Sequence, residues 1–193
     1  MVYTKYKEWL KNNLTEERYE HSLGVAEAAF ELAKKFDLDP QKAYLCGLIH
    51  DCAKCFSNEE LKTKICNCTD LCDGELMNPK TYHAPAGAIL AKEDLGICDE
   101  EVLSATRWHT LGKINMTDFE KIIFLADKIE HRTREYEHRK PIEDALEKGL
   151  DNALLVCYGN TIKSLVDRSL KICPQTIEIY NHLLNNLDSE NKK

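Results

Sequence analysis

Six side chains able to hold a metal ion are spread along the chain, each in an apolar or small-residue setting: His21 in RYEHSLGVAEAA, His50 and Asp51 in GLIHDCAK, His83 in YHAPAGA, His109 in TRWHTLG and Asp127 in IIFLADKIE. His50 and Asp51 are adjacent and close the apolar run Ala43 to Ile49. Asp127 follows four apolar residues and Ala126 on a helix whose inner face would otherwise be continuous core. A buried ionisable group without a partner is costly. A metal ion would compensate it, because neutral imidazole and carboxylate are both standard ligands, a mixed set that suits Fe, Mn, Zn or Co. One histidine beside an apolar face is ordinarily a packing or surface residue. Four of them with two aspartates form the pattern from which a helical bundle builds a di-metal site.

Two such ions, roughly 3.5 to 4 Å apart, lower the pKa of a shared water and supply strong local positive charge. An anionic substrate would need such charge on a chain of this composition. Lys54, one helical turn after His50, and Arg18, three residues before His21, are placed to supply cations. After His109, Thr110 and Gly112 read as a tight polar turn that an anionic group could approach, and Arg107 as a further donor. Cys52 and Cys55 form a CxxC, followed by Cys66, Cys68 and Cys72. The irregular spacing and the lack of a second CxxC leave a zinc site and simple core packing both open.

The elements that must carry these residues read as helix after helix. A helix runs from an N-cap at Thr15 to near Asp37, and Asp39 and Pro40 cap and open the next. Between Cys55 and Tyr82 the periodicity weakens to a short helix plus loop. Helical spacing returns over Ala84 to Asp94, around Glu100 to Thr110 and from Asp118 to about Tyr136, and Pro141 opens another segment. Asp144 to Leu187 holds two more helical patterns divided by Cys173 and Pro174, and Ser189 to Lys193 reads as a frayed tail. Without strand-like alternation or repeats, the expectation is an all-α, single-domain bundle over residues 1–193. Its metal core spans about 18–130 and its C-terminal helices about 141–187.

The chain has 193 residues, 43% hydrophobic and 31% charged, which is ample for one core. A formal charge of −7 disfavours nucleic acid or anionic lipid as partners. No apolar run is long enough for a bilayer, and Met1 leads into a polar stretch, so a cytoplasmic protein is expected. The odd count of nine cysteines argues against a disulfide framework. His131, His138 and His182 read as surface or packing residues, and the run Arg132 to Lys140 as a helix face of paired charges.

The order H…HD…H…H…D resembles the HD-domain superfamily of metal-dependent phosphohydrolases. The flanking words RYEHSLGVAEAA, GLIHDCAK, HAPAGA, WHTLGKINM and ADKIE resemble the YqeK-type family of symmetrical diadenosine tetraphosphate hydrolases, in order from Arg18 to Glu130. The resemblance implies an acid anhydride hydrolase releasing two nucleoside diphosphates, with Asp51 and His50 as catalytic residues. It also implies two metal ions, expected to be iron: one on His21, His50, Asp51 and Asp127, the other on His83 and His109, with Asp51 bridging. Alternatives are an HD-type nucleotidase for another nucleotide, or a non-catalytic nucleotide sensor; a homodimer is compatible with either. One departure stands out, since the family's arginine position after ADxIE is Thr133 here, leaving Arg132 or Arg134 to substitute.

Overall fold

Side-chain caps set most of the helix boundaries in the computed structural model, which describes residues 3–190. The first helix, α1 (Thr4–Asn13), is followed by α2 (Glu16–Lys35), whose N-cap Thr15 accepts a hydrogen bond from the Arg18 amide. In α3 (Pro40–Ile49) the Asp39 carboxylate accepts from the amides of Gln41 and Lys42, and Pro40 sits where no amide is needed. Ser57 and Glu60 form a capping box at α4 (Asn58–Ile65), as Thr117 and Glu120 do at α8 (Asp118–Ile129). Asp99 caps α7 (Glu100–Trp108). Each such cap contributes about 1 kcal/mol.

The remaining helices are α5 (Asp73–Leu76), α6 (His83–Glu93), α9 (Tyr136–Leu146), α10 (Leu150–Asp167) and α11 (Pro174–Glu190). Short 3-10 turns cover Cys52–Cys55 and Pro79–Thr81. The described residues contain no strand, so the fold is all-α as expected. α8 is the central rod, with Ile122, Ile123, Leu125 and Ala126 fully buried. It packs on α2, α7, α9 and α10, while α3 lies along α2 and α6 along α7. The α2–α3 approach is close because Gly47 has no side chain: a Cβ there would lie 2.8 Å from the Val25 carbonyl oxygen. No helix among the described residues is long and apolar enough to cross a membrane.

The architecture departs from the sequence reading in five places. Helix α1 was not anticipated; it buries only Tyr6 and Leu10, too few positions to show a period. The stretch from Cys55 to Tyr82 holds α4, α5 and a 3-10 turn rather than one short helix. α8 ends at Ile129 instead of near Tyr136, because the Glu130 carboxylate turns back to accept the amides of Arg132 and Thr133. Pro141 lies inside α9, not at its start. It is exposed, and its missing N–H removes one bond near an end already rich in solvated groups. The next helix starts at Leu150 rather than Asp144, while Pro174 opens α11 as expected. Of the tail expected to fray, Ser189 and Glu190 close α11, and residues 191–193 lie outside the described residues.

The charge run also divides. Arg132 reaches Glu20 and Glu27 on α2, and only Arg139–Glu143 and Lys140–Asp144 form pairs along α9. His131 and His138 are exposed, and His182 is half-buried beside Asn186.

Candidate metal centre

The six singled-out side chains, drawn from five helices or their ends, meet in one buried cluster. His21, His50 and Asp51 offer ligand atoms within 4.8 Å of one another, and so do Asp51, His83 and His109. These are the only such groups among the described residues, and neither includes a cysteine. Asp51 belongs to both. Its Oδ1 lies 3.4 Å from Nε2 of both His83 and His109, and its Oδ2 lies 3.8 Å from His50 Nε2. Asp127 closes the first group, with Oδ1 3.0 Å from His21 Nε2 and 4.0 Å from His50 Nε2.

The orientation of the rings is fixed from behind. His50 Nδ1 donates to the Gly47 carbonyl at 2.7 Å, His109 Nδ1 to Thr106 at 2.7 Å and His83 Nδ1 to Lys80 at 2.8 Å, each three residues back. His21 Nδ1 donates to Glu130 Oε1 at 3.1 Å. With the proton held at Nδ1, all four imidazoles present an Nε2 lone pair to the centre. The Nε2 atoms of His21 and His50 are buried with no aligned hydrogen-bond partner. Buried polar atoms are rarely left so, and lone pairs converging with two carboxylates are a donor set for divalent metal ions.

The electrostatics agree. Burial first, and then His109 across the cluster, lower the pKa of His50 to about 4, and burial does the same to His83, to about 3, so both are neutral at pH 7. His21 is raised, since the carboxylates of Asp127 and Glu130 beside it outweigh burial. Burial works to raise Asp51 and Asp127, but the surrounding imidazoles, led by His50, hold Asp51 well below the usual carboxylate range, and Lys128, His21 and Arg134 do the same to Asp127. Both are therefore ionised and able to ligate.

The substrate-side candidates separate into those at the cluster and those elsewhere. Arg18 Nη1 donates to Asp51 Oδ2 at 3.1 Å. Half-buried Lys54 stands close enough to feel Asp51, Arg18 and Asp127, and burial lowers its pKa. Thr110 Oγ1 lies 2.9 Å from His83 Nε2 and 3.0 Å from His109 Nε2. Arg107 is engaged otherwise: Nε and Nη2 donate to Glu75 at 2.7 and 2.9 Å, and Nη1 and Nη2 donate to Asp70. It ties the α5 loop to α7. Gly112 is needed, but for packing: its φ is +71°, and a Cβ would lie 2.0 Å from the Tyr158 hydroxyl. Its carbonyl accepts from Gln175 Nε2 at 2.8 Å.

Cys52 and Cys55 do not join a thiolate set; Cys52 Sγ is buried against the Gly87 carbonyl and Cys55 Sγ against the Cys52 carbonyl. Of the two arginines that could replace the family position, Arg134 reaches the cluster, donating to Asp127 Oδ1 at 2.7 Å and to the Asp127 carbonyl at 2.8 Å.

Sequence reasoning passed over three residues beside the cluster. Lys128 Nζ donates to Asp127 Oδ2 at 2.6 Å. Fully buried Glu130 accepts from His21, from the amides of Arg132 and Thr133, and from the Thr133 hydroxyl. Thr133 Oγ1 also lies 3.3 Å from His21 Nδ1. The one signal in the sequence was the spacing of Glu130, three residues after Asp127, which keeps it at the same end of α8.

Comparison with known proteins places this geometry. The HD domain family model matches residues 18–132. The chain is 40% identical over 175 residues to a Halalkalibacterium halodurans protein named symmetrical bis(5'-nucleosyl)-tetraphosphatase, covering 91% of this chain and 93% of that one. A Bacillus subtilis protein of the same name is 37% identical over 177 residues, covering 91% and 94%. A crystal structure of an HD superfamily hydrolase from Clostridium acetobutylicum, described as involved in NAD metabolism, superposes with a TM-score of 0.89 at 41% identity, covering 95% of this chain and 97% of that one. With the HD doublet, the helical fold and these relatives in agreement, the chain belongs to the HD-domain family of hydrolases.

Proposed function

We propose that this protein is a metal-dependent hydrolase of symmetrical dinucleoside tetraphosphates such as diadenosine tetraphosphate, releasing two nucleoside diphosphates. The observation that carries the reading is the pair of donor groups sharing Asp51, ringed by Arg18, Lys54, Lys128 and Arg134. The names of relatives matched over nine tenths of the chain support the substrate. The first ion would be held by His21, His50, Asp51 and Asp127, and the second by His83, His109 and Asp51. Iron is expected, with Mn, Co or Zn also suited to the donors. When bound, the ions supply Lewis acidity, lowering the pKa of the attacking water and neutralising phosphate charge.

The chain's own residues do the rest. Water adds to one of the two central phosphorus atoms, the central phosphoanhydride bond breaks, and the other half leaves as a diphosphate. Negative charge grows on that leaving oxygen, and the guanidinium of Arg18 and the ammonium of Lys54 are the cations positioned to stabilise it. Glu130 holds the proton of His21 at Nδ1, and the carbonyls of Gly47, Lys80 and Thr106 hold those of His50, His83 and His109. The imidazoles are thus held with Nε2 turned to the centre. The proposed reaction belongs in the cytosol.

The test is product analysis with anaerobically purified, metal-loaded protein and diadenosine tetraphosphate. ADP alone is expected. AMP with ATP, or turnover only of mononucleotides to orthophosphate, would contradict the reading.

A further inference from the structure

Glu75 is almost fully buried, at 1% exposure, and Arg107 is its only ion-pair partner among the described residues. Burying a carboxylate is costly unless it is paired. The pairing is a fork: Arg107 Nε and Nη2 donate to the two Glu75 oxygens at 2.7 and 2.9 Å, and Nη2 also donates to the Asp70 carbonyl at 2.8 Å. Neither residue is among the six donors, yet the pair joins the elements that aim two of them. Arg107 stands in the last turn of α7, next to Thr106, whose carbonyl orients His109. Glu75 lies in α5, and the Thr81 hydroxyl donates between the carbonyls of Glu75, at 2.9 Å, and Asn78, at 2.6 Å. The peptide group that precedes Thr81 carries the Lys80 carbonyl, the acceptor for His83 Nδ1–H at 2.8 Å.

A chain of bonds thus runs from the end of α7 to the rear of His83. It closes across the centre, where Nε2 of His83 and Nε2 of His109 lie 3.2 Å apart. His50 and His21 are oriented instead by Gly47 and Glu130, which stand outside this chain. We propose that Arg107 and Glu75 are positioning residues for the second ion, setting how tightly His83, His109 and Asp51 hold it through the turn that orients His83. The inference rests on the two-ion reading under the proposed function. It adds a control on one ion that leaves the other alone.

The test is titration of metal-free protein with Co2+, with bound ions counted by calorimetry and distinguished by their visible absorption. The wild type is expected to bind two ions. Arg107→Met keeps the stem and removes the fork; it should weaken one ion about 10- to 100-fold, the one whose absorption His83→Ala removes, and leave the other unchanged. Arg107→Lys keeps the charge without the fork and should fall between the two. Thr81→Val cuts the link to the turn without unpairing a buried charge. It should act in the same direction, and it decides the matter should Arg107→Met lose its helical content. Gly96→Ala, which strains the backbone away from this chain of bonds, should leave both affinities as they are. Two ions in the wild type with unchanged affinities in the variants, or both ions weakened equally, would overturn the inference and leave the functional reading standing. A wild type that binds a single ion would remove the two-ion reading and this inference with it.

Discussion

At the scale of the residue, one local device recurs at three of the four histidines. His50 and His109 each follow a helix terminus, where the last carbonyls have no amide partner. Their Nδ1–H groups satisfy such carbonyls, at Gly47 and Thr106, and His83 does the same to Lys80 in the 3-10 turn before α6. One bond thus caps a helix, selects the tautomer and aims Nε2 inward. His21 lies mid-helix, where no free carbonyl is at hand, and Glu130 performs that task across 109 residues of sequence. Burial tends to raise Glu130, but bonds from His21, Thr133 and Arg132 draw its pKa down to about 2, so the partner of His21 is a carboxylate at neutral pH. Glu130→Gln keeps the size and loses the charge. Metal titration of this variant should show affinity reduced about 10- to 100-fold with helical content intact; unchanged affinity would remove Glu130 from the orientation of the site.

At the scale of the element, the C-terminal helices are tied to the metal-bearing ones through the turn after His109. Gly112 combines a left-handed backbone with contact against Tyr158 of α10, whose hydroxyl donates to the Leu111 carbonyl at 2.8 Å. Gly112→Ala should therefore cost roughly 2–4 kcal/mol in urea unfolding, backbone strain and overpacking together. Gly96 has a similar φ of +69° but open space around it, so Gly96→Ala should cost only the backbone part, ~1–2 kcal/mol. Equal costs would show that the Tyr158 contact contributes nothing.

The same elements show what the sequence could reveal. Caps such as Thr15, Asp39 with Pro40, and Pro174 act through their own neighbours, so the helices they open were readable. The end of α8 depends on a carboxylate turning back on its own chain, and α1 buries only two side chains as it packs on α2 and α3, and neither leaves a periodic trace. Among the site residues, the six with unusual chemistry in apolar settings stood out. Glu130 and Lys128 did not, because their settings look like those of ordinary surface charges until the fold supplies their partners, and of the two arginines left open only the fold singles out Arg134. Gly112 was visible as a tight turn, yet the reason for it, Tyr158, lies 46 residues further on in another helix.

At the scale of the whole molecule, an acidic chain gathers cations at one place. Arg18, Lys54, Lys128 and Arg134 surround Asp51 and Asp127, while Lys35, Lys42, Lys121 and Lys140 are paired with acids away from the centre. This uneven distribution gives a polyanionic substrate one attractive region on a body that otherwise repels it. The helices, packed around α8, exist to hold that region and the donors beneath it in register, and Asp51 is the atom-level link between the two halves of the site. The most direct test is the metal content of anaerobically purified wild-type protein and of Asp51→Ala, read together with circular dichroism. The account predicts about two ions per chain in the wild type, and loss of both in the variant with its helical signal unchanged. A variant that keeps its full metal content would contradict it.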